Sequence, residues 1–205
     1  MRVGILGGAF NPPHIGHLVC AQEALVRLDL ERVVFVPMGQ APHREIEDDP
    51  GADVRLRMCE AAAGEDERFE VSRVEIDREG PSYTVDTLRE LVERSPDDEL
   101  VLILGGDQAA SLAAWHEPEE VLRLATVAAV ERTGWSRERI AVRIASIEGA
   151  KGVVYFDMPR IDVSSTLVRH RVARAEPIRY LVPEQVASYI EANGLYAASA
   201  PAGSR

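Results

Sequence analysis

The sequence predicts an α/β fold built on an open parallel sheet, and three observations carry that prediction. Short β-branched and aliphatic runs alternate with segments of helical period; most of the runs are apolar enough to be buried on both faces; and a glycine-rich turn follows the first of them. The expected strands are Arg2–Leu6, Arg32–Pro37, Phe69–Val74, Leu100–Leu104, Thr126–Val130 and Val153–Phe156. Between them, Leu18, Ala21, Leu25 and Leu28 recur at spacings of three and four, as do Val85, Leu88, Leu91 and Val92, which is the apolar stripe of an amphipathic helix. A further helix is expected from about Ser164, carrying Leu167 and Val168. Another runs from Pro183, suited to a first helical position, to Asn193, with Gly194 as its cap. The stretch Gln40–Asp53 reads as a loop or flap, and the run after Tyr196 as a disordered tail. The whole is a Rossmann-like sheet with helices on both faces and a small C-terminal helical part, one domain over 1–196.

Composition narrows the function. A formal net charge of −11 over 205 residues disfavours nucleic acid or an anionic membrane as partner, since either would repel the molecule as a whole. Small anionic substrates stay admissible, because backbone N–H groups and helix N-termini add local positive potential without entering a charge count. Cys20 and Cys59 show neither C-x-x-C nor metal-ligand spacing and read as reduced thiols. The early glycines interrupt any secretory h-region, and no apolar run approaches the ~18 residues of a membrane span. A soluble cytoplasmic protein is expected, with self-association left open.

The densest signal is Gly7-Gly8-Ala9-Phe10-Asn11-Pro12-Pro13-His14-Ile15-Gly16-His17, set between the first strand and the first helix. In open α/β sheets the turn after the first strand is where phosphates meet backbone N–H groups and a helix N-terminus. Neither G-x-G-x-x-G nor a G-K-[ST] loop is present, so this is another solution to phosphate binding. His14 and His17, three apart at a helix start, share a face and can both address an anion lodged there. Gly16 removes a side chain that would crowd the ligand. Zinc is the rival reading of H-x-x-H, but the acidic base of H-E-x-x-H is missing and no third ligand is marked.

These residues resemble the [T/S]-x-x-x-x-H-x-G-H signature of the nucleotidylyltransferase superfamily. The resemblance implies that His14 and His17 grip the phosphates of ATP, with Gly7, Gly8, Ala9 and Phe10 lining the same site. Ala9 stands where the family usually has Thr or Ser, and Asn11 where Asp is commoner; at Ala9 only main-chain contact is expected.

Four later segments sharpen the resemblance: Pro37-Met-Gly-Gln-Ala-Pro-His43-Arg44, Gly80-Pro-Ser-Tyr83-Thr84-Val-Asp86-Thr87-Leu88, Gly105-Gly106-Asp107 with Trp115 downstream, and Val163-Ser164-Ser165-Thr166-Leu167-Val168-Arg169. With the ending Tyr180-Leu-Val-Pro183 to Asn193-Gly-Leu-Tyr196, they look like bacterial nicotinate-mononucleotide adenylyltransferases across nearly the whole chain. Read physically, Asp107 leaves the carboxyl end of an apolar strand, where it can accept from ribose hydroxyls, help hold Mg²⁺ or cap the next helix. Ser164, Ser165 and Thr166 offer hydroxyls and free N–H groups at a helix start, with Arg169 one turn on. Trp115 suits either a cationic pyridinium ring or the core. The resemblance implies that Ser165 and Arg169 bind ATP phosphates, that Tyr83, Thr84 and Trp115 frame the nicotinate ring, and that Arg44 approaches the mononucleotide phosphate. Arg132 is followed by Thr133 where the family often has proline.

The expected reaction joins the adenylyl group of ATP to nicotinic acid mononucleotide, with Mg²⁺ carried on the ATP phosphates rather than on a protein cluster. The acceptor phosphate is already an anion, so no general base is needed; positioning and charge neutralisation by His14, His17 and Arg169 suffice. The alternatives are a nicotinamide mononucleotide or dual-specificity adenylyltransferase and a non-catalytic nucleotide-binding relative. A class I aminoacyl-tRNA synthetase shares the His-x-Gly-His device, but a chain this short and acidic has no credible tRNA-binding part.

Overall fold

A computed structural model describes residues 1–42, 45–64, 66–131 and 134–198. Six strands, β1 (Arg2–Gly8), β2 (Arg32–Pro37), β3 (Phe69–Val71), β4 (Glu99–Gly105), β5 (Thr126–Glu131) and β6 (Val154–Asp157), form one sheet in the order β3-β2-β1-β4-β5-β6. Every neighbouring pair is parallel. All six expected strands are present, β2 with the expected bounds and the others with at least one end moved by one to three residues. The largest change is at β3, where the chain turns after Val71 and folds Val74 back into the core.

Alternation along the strands divides the interior between two faces. Val3, Ile5, Leu100, Leu102 and Leu104 meet α3 (Thr84–Arg94), α5 (Pro118–Leu124) and α6 (Arg137–Ile144) through Val85, Leu88, Val121 and Ile140. Leu6, Phe35, Val101, Ile103 and Val130 meet α1 (Ile15–Arg27) and α2 (Ala52–Ala63) through Ala21, Ala24, Leu25 and Cys59. Gly4 sits mid-strand on that second face because a Cβ there would lie 2.8–3.0 Å from Leu30, Ile103 and Val33.

The C-terminal helices α7 (Ser165–Ala173) and α8 (Glu184–Ala192) pack on α2, with Val168, Val186 and Ile190 against Met58 and Ala62. Pro183 is the N-cap of α8 rather than its first helical residue, and Gly194, at φ +59°, lies one residue past the cap Asn193. Ser164 caps α7 by accepting from Leu167 N–H at 3.1 Å.

Two departures from the sequence reading matter for the site. The polar stretch Gln40–Asp53 ends sooner than expected, since α2 begins at Ala52. The short helix α4 (Gly106–Ala110) follows β4 directly, and a 3₁₀ turn at Leu112–Ala114 brings the chain to Trp115. Arg44, Arg132 and the tail from 199 onward lie outside the described residues. Among those described, no helix is long and apolar enough to cross a membrane.

Gly4→Ala should destabilise the fold by about 1–3 kcal/mol, the usual cost of overpacking a filled interior. Urea unfolding would measure it, and an unchanged midpoint would contradict the packing described for β1.

Candidate active site

In this strand order the chain reverses direction across the sheet between β1 and β4, and ligand crevices open at that reversal, beyond the carboxyl ends of the strands. Two cavities occupy the place. One, of about 630 Å³, is lined by Gly7, Gly8, Ala9 and Asn11 after β1, by Tyr83 and Thr84 at the start of α3, by Trp115, and by Ser165, Thr166 and Arg169 of α7. The other, of about 770 Å³, is lined by Asp107, Trp135, Arg139, Arg160 and Ile161. Gln108 faces the first and Asp107 the second, so consecutive residues after β4 serve both.

The β1–α1 turn borders the first cavity through Gly7, Gly8, Ala9 and Asn11, and neither His14 nor His17 lines either cavity. The His14 and His17 rings lie with centroids 3.8 Å apart, and the Phe10 ring meets His17 edge-on at 5.0 Å. His17 Nδ1 accepts from the His14 N–H at 3.1 Å, which keeps that nitrogen unprotonated and puts the ring's proton on Nε2. Gly16 has a reason within the fold besides the one expected. A Cβ at this position would lie 3.0 Å from the His14 ring, so the glycine makes room for that imidazole. Ile161, from the second cavity, is 3.7 Å from the same point.

The hydroxyls of α7 are committed differently from expectation. Ser165 Oγ donates its proton to Pro12 O at 2.8 Å, and Ser164, whose Oγ accepts from the Leu167 N–H as the helix cap, does not line the cavity. What α7 offers instead is its first main-chain N–H groups and Thr166 at the wall. Arg169, buried, donates to Asn11 O at 3.1 Å, to Glu47 at 2.7 Å and to Asp48 at 3.1 Å. Carboxylates of the 45–49 segment thus sit where an anion would meet its guanidinium. Asn11 secures that segment: its Nδ2 donates to Glu47 O at 2.7 Å, and its Oδ1 accepts from Tyr196 at 2.6 Å. An aspartate at position 11 could not make the first of these bonds, which gives the departure from the commoner residue a structural reason.

On the opposite wall, Trp115 is half-buried, with one side on the core and its Nε1–H donating to Ser111 Oγ at 3.3 Å. Core packing and pocket lining are both true of it. Tyr83 stacks on His116 at 4.6 Å, and His116 also lines the cavity. Asp107 does not cap α4, whose N-cap is Gly105. A Cβ at Gly105 would come within 2.9 Å of the Asp107 carboxylate, so the glycine leaves that side chain its place. Among the described residues no three His, Cys, Asp or Glu side chains are grouped to hold a metal ion.

Sequence reasoning missed two buried charged groups. Arg55, with no exposed surface, lies beneath the floor between β1 and β2. Glu75 lines the first cavity, accepts from Thr87 Oγ1 at 2.8 Å and is also hydrogen-bonded by Ser82 and the Gly39 N–H. Burial pushes the Glu75 carboxyl above the ordinary glutamate range, only partly offset by those donors and by Arg78.

The comparisons with known proteins agree with this geometry. A cytidylyltransferase-like family model matches residues 5–171. A probable nicotinate-nucleotide adenylyltransferase of Geobacillus thermodenitrificans is 42% identical over 197 residues, covering 96% of this chain and 87% of the relative. One from Thermus thermophilus is 43% identical, covering 96% of this chain and all of the relative. The chain belongs to the cytidylyltransferase-like family, among the nicotinate-nucleotide adenylyltransferases. The adenylyltransferase fold extends further: nicotinic acid mononucleotide adenylyltransferase of Plasmodium falciparum, complexed with NaAD, superposes with a TM-score of 0.75 at 17% identity, over 95% of this chain and 97% of that one.

Glu75 supplies a pH test. Between the ordinary glutamate pKa and its raised folded value, the folded adenylyltransferase holds more protons than the unfolded chain, so the stability it contributes falls as pH rises through that window. The stability of wild type relative to Glu75→Gln should therefore drop in urea unfolding as pH rises above the ordinary glutamate range. A relative gain for wild type in that direction would contradict the assignment.

Proposed function

We propose that the protein transfers the adenylyl group of ATP to nicotinic acid mononucleotide, forming nicotinic acid adenine dinucleotide and pyrophosphate. The observation that carries this reading is the pair of cavities flanking the β1–α1 turn, the first lined by Gly8, Ala9 and Asn11 and the second by Ile161, which lies against Gly16 between the two histidines. Two nucleotides laid into them from opposite sides of the sheet reversal would bring their phosphates together there.

In this reading the first cavity holds the acceptor. Its aromatic wall of Tyr83 and Trp115 faces the pyridinium ring, where an indole π-face is favourable to positive charge. Thr84 opens α3, and the free N–H groups of that helix start offer donors to the nicotinate carboxylate. Arg44, outside the described residues, is assigned by family resemblance to the mononucleotide phosphate. The second cavity takes the adenosine of ATP, with Asp107 in reach of ribose hydroxyls and Trp135 at its wall.

The attacking oxygen belongs to a phosphate that is anionic at neutral pH, so the protein's task is to align two anions and stabilise the departing pyrophosphate. His17 in its neutral form carries its proton on Nε2 and can donate from there, because Nδ1 is held as an acceptor. Arg169 and the N–H groups of α7 add donors on the other side, once phosphate oxygens exchange with the carboxylates of Glu47 and Asp48. Mg²⁺, arriving on the ATP phosphates, supplies further charge neutralisation. Asp107 is the carboxylate suited to accept from its bound water, since Glu131 and Asp162 in the same cavity are paired with Arg137 and Arg160. Cys20 and Cys59 as thiols outside any disulfide, and a net charge unsuited to nucleic acid, support a cytoplasmic enzyme acting on small molecules.

His17→Ala should lower kcat for pyrophosphate release from ATP and nicotinic acid mononucleotide by roughly 10²–10⁴-fold with the melting curve unchanged. Turnover equal to wild type would remove His17 from the chemistry. Trp115→Ala should weaken the acceptor, read as a raised KM for the mononucleotide, with the KM for ATP within about twofold. Equal weakening of both substrates would make Trp115 a structural residue alone.

A further inference from the structure

The buried guanidinium of Arg55 makes four hydrogen bonds from five N–H donors. Nε donates to Asp49 at 2.9 Å, one terminal nitrogen to Ala9 O at 3.0 Å and Met38 O at 2.6 Å, and the other to Gly39 O at 3.1 Å. Three of the acceptors are main-chain carbonyls from both edges of the first cavity: Ala9 follows β1, and Met38 and Gly39 follow β2. Each carbonyl belongs to a planar trans peptide, so fixing its direction points the next residue's N–H the opposite way.

Two of those N–H groups can be followed. The Gly39 N–H reaches Ser82 Oγ at 3.1 Å and the Gln40 N–H reaches the same oxygen at 3.2 Å. A hydroxyl accepting twice must send its own proton elsewhere, and Ser82 sends it to Glu75. Ser82 directly precedes Tyr83 and Thr84, and its N–H is tied back to Gln40 O at 2.8 Å. The third N–H, that of Phe10, has no acceptor among the described residues, and it lies between two residues that line the cavity, Ala9 and Asn11. Gly39 admits this arrangement because it has no Cβ; one there would lie 2.2 Å from Glu75 O.

We infer that Arg55 is a positioning residue for the transfer reaction: from beneath the floor it turns three peptide planes, aiming the Phe10 N–H at the reacting phosphates and, through Ser82, fixing the Tyr83–Thr84 edge against which the acceptor's ring is held. The inference rests on the proposed function for the identity of the acceptor. A lysine could not replace the arginine, because one ammonium cannot span carbonyls contributed by two strands in the fixed fork the guanidinium provides. The two arms are chemically separable. Loss of Ser82 should affect the acceptor alone, whereas loss of the fork should affect the acceptor and the chemical step together.

The test is steady-state pyrophosphate release by the full chain, with ATP and nicotinic acid mononucleotide varied in turn, for wild type, Ser82→Ala, Arg55→Lys and the double variant. Thermal melts are taken on each. Ser82→Ala should raise the acceptor KM about 5–20-fold with kcat within about twofold. Arg55→Lys should show a comparable rise and a kcat lowered at least about tenfold, and adding Ser82→Ala to it should raise the acceptor KM no further. The inference is overturned if the two KM effects multiply, or if Arg55→Lys loses kcat only in proportion to its unfolded fraction. Should Arg55→Lys not fold, Ser82→Ala decides by itself, and an acceptor KM equal to wild type overturns the inference. Failure of the proposed function would appear separately, as wild type that releases no pyrophosphate. In that case calorimetric binding of the mononucleotide to wild type and Ser82→Ala still decides the Ser82 arm, equal affinities overturning it.

Discussion

The reversal of strand order between β1 and β4 is the constraint on which the site depends. Parallel strands must be joined by crossovers, and where successive crossovers leave in opposite directions their connecting segments cannot close over one another. Here that geometric gap receives the β1–α1 turn from one side and the β4–α4 turn from the other. The glycines at these turns have separate reasons: a Cβ added at Gly7 would meet no atom within 4 Å, while Gly106 lets α4 approach Trp135 and the carbonyl of Val130. One leaves space for a ligand and the other closes the scaffold behind it.

Charge is managed within the same gap. The chain is acidic overall, yet the two arginines nearest the site's floor are buried and engaged by acidic residues of one short segment, Arg169 with Glu47 and Asp48 and Arg55 with Asp49. A buried cation left without such a partner would cost several kcal/mol. On the proposed reading, binding a polyphosphate is in part an exchange of one set of anionic oxygens for another. Tyr196, 185 residues from Asn11 in sequence, contributes by fixing the Asn11 amide that holds the acidic segment in place.

How much of this is legible in the sequence follows from what sequence patterns encode. Strands buried on both faces announce themselves as short apolar runs, which is why all six are readable, with β2 at its full bounds and the others off by one to three residues at one or both ends. The His14–His17 corner is readable because its residues are adjacent in the chain. Arg55 is not, because Arg57 stands two positions away on the same helix with its side chain 61% exposed, and no spacing rule separates the two. Glu75 is hidden in the same way among Asp77 and Glu79. The α7 serines show the converse: their hydroxyls suggest anion binding, whereas Ser165 donates its proton across the fold to Pro12 O and Ser164 accepts locally as the helix cap. Helix α2 escaped for a related reason, since its inward stripe mixes Leu56 and Cys59 with a buried arginine.

The central claim is that this pair of cavities joins ATP to a nicotinate-bearing mononucleotide. The most direct measurement is pyrophosphate release with ATP and Mg²⁺, comparing nicotinic acid mononucleotide, nicotinamide mononucleotide and phosphopantetheine as acceptors at matched concentrations. The account predicts that kcat/KM is highest for the nicotinate acceptor. Preference for the nicotinamide acceptor would contradict the reading of the Tyr83–Thr84–Trp115 wall, and absence of release with all three would contradict the chemistry itself.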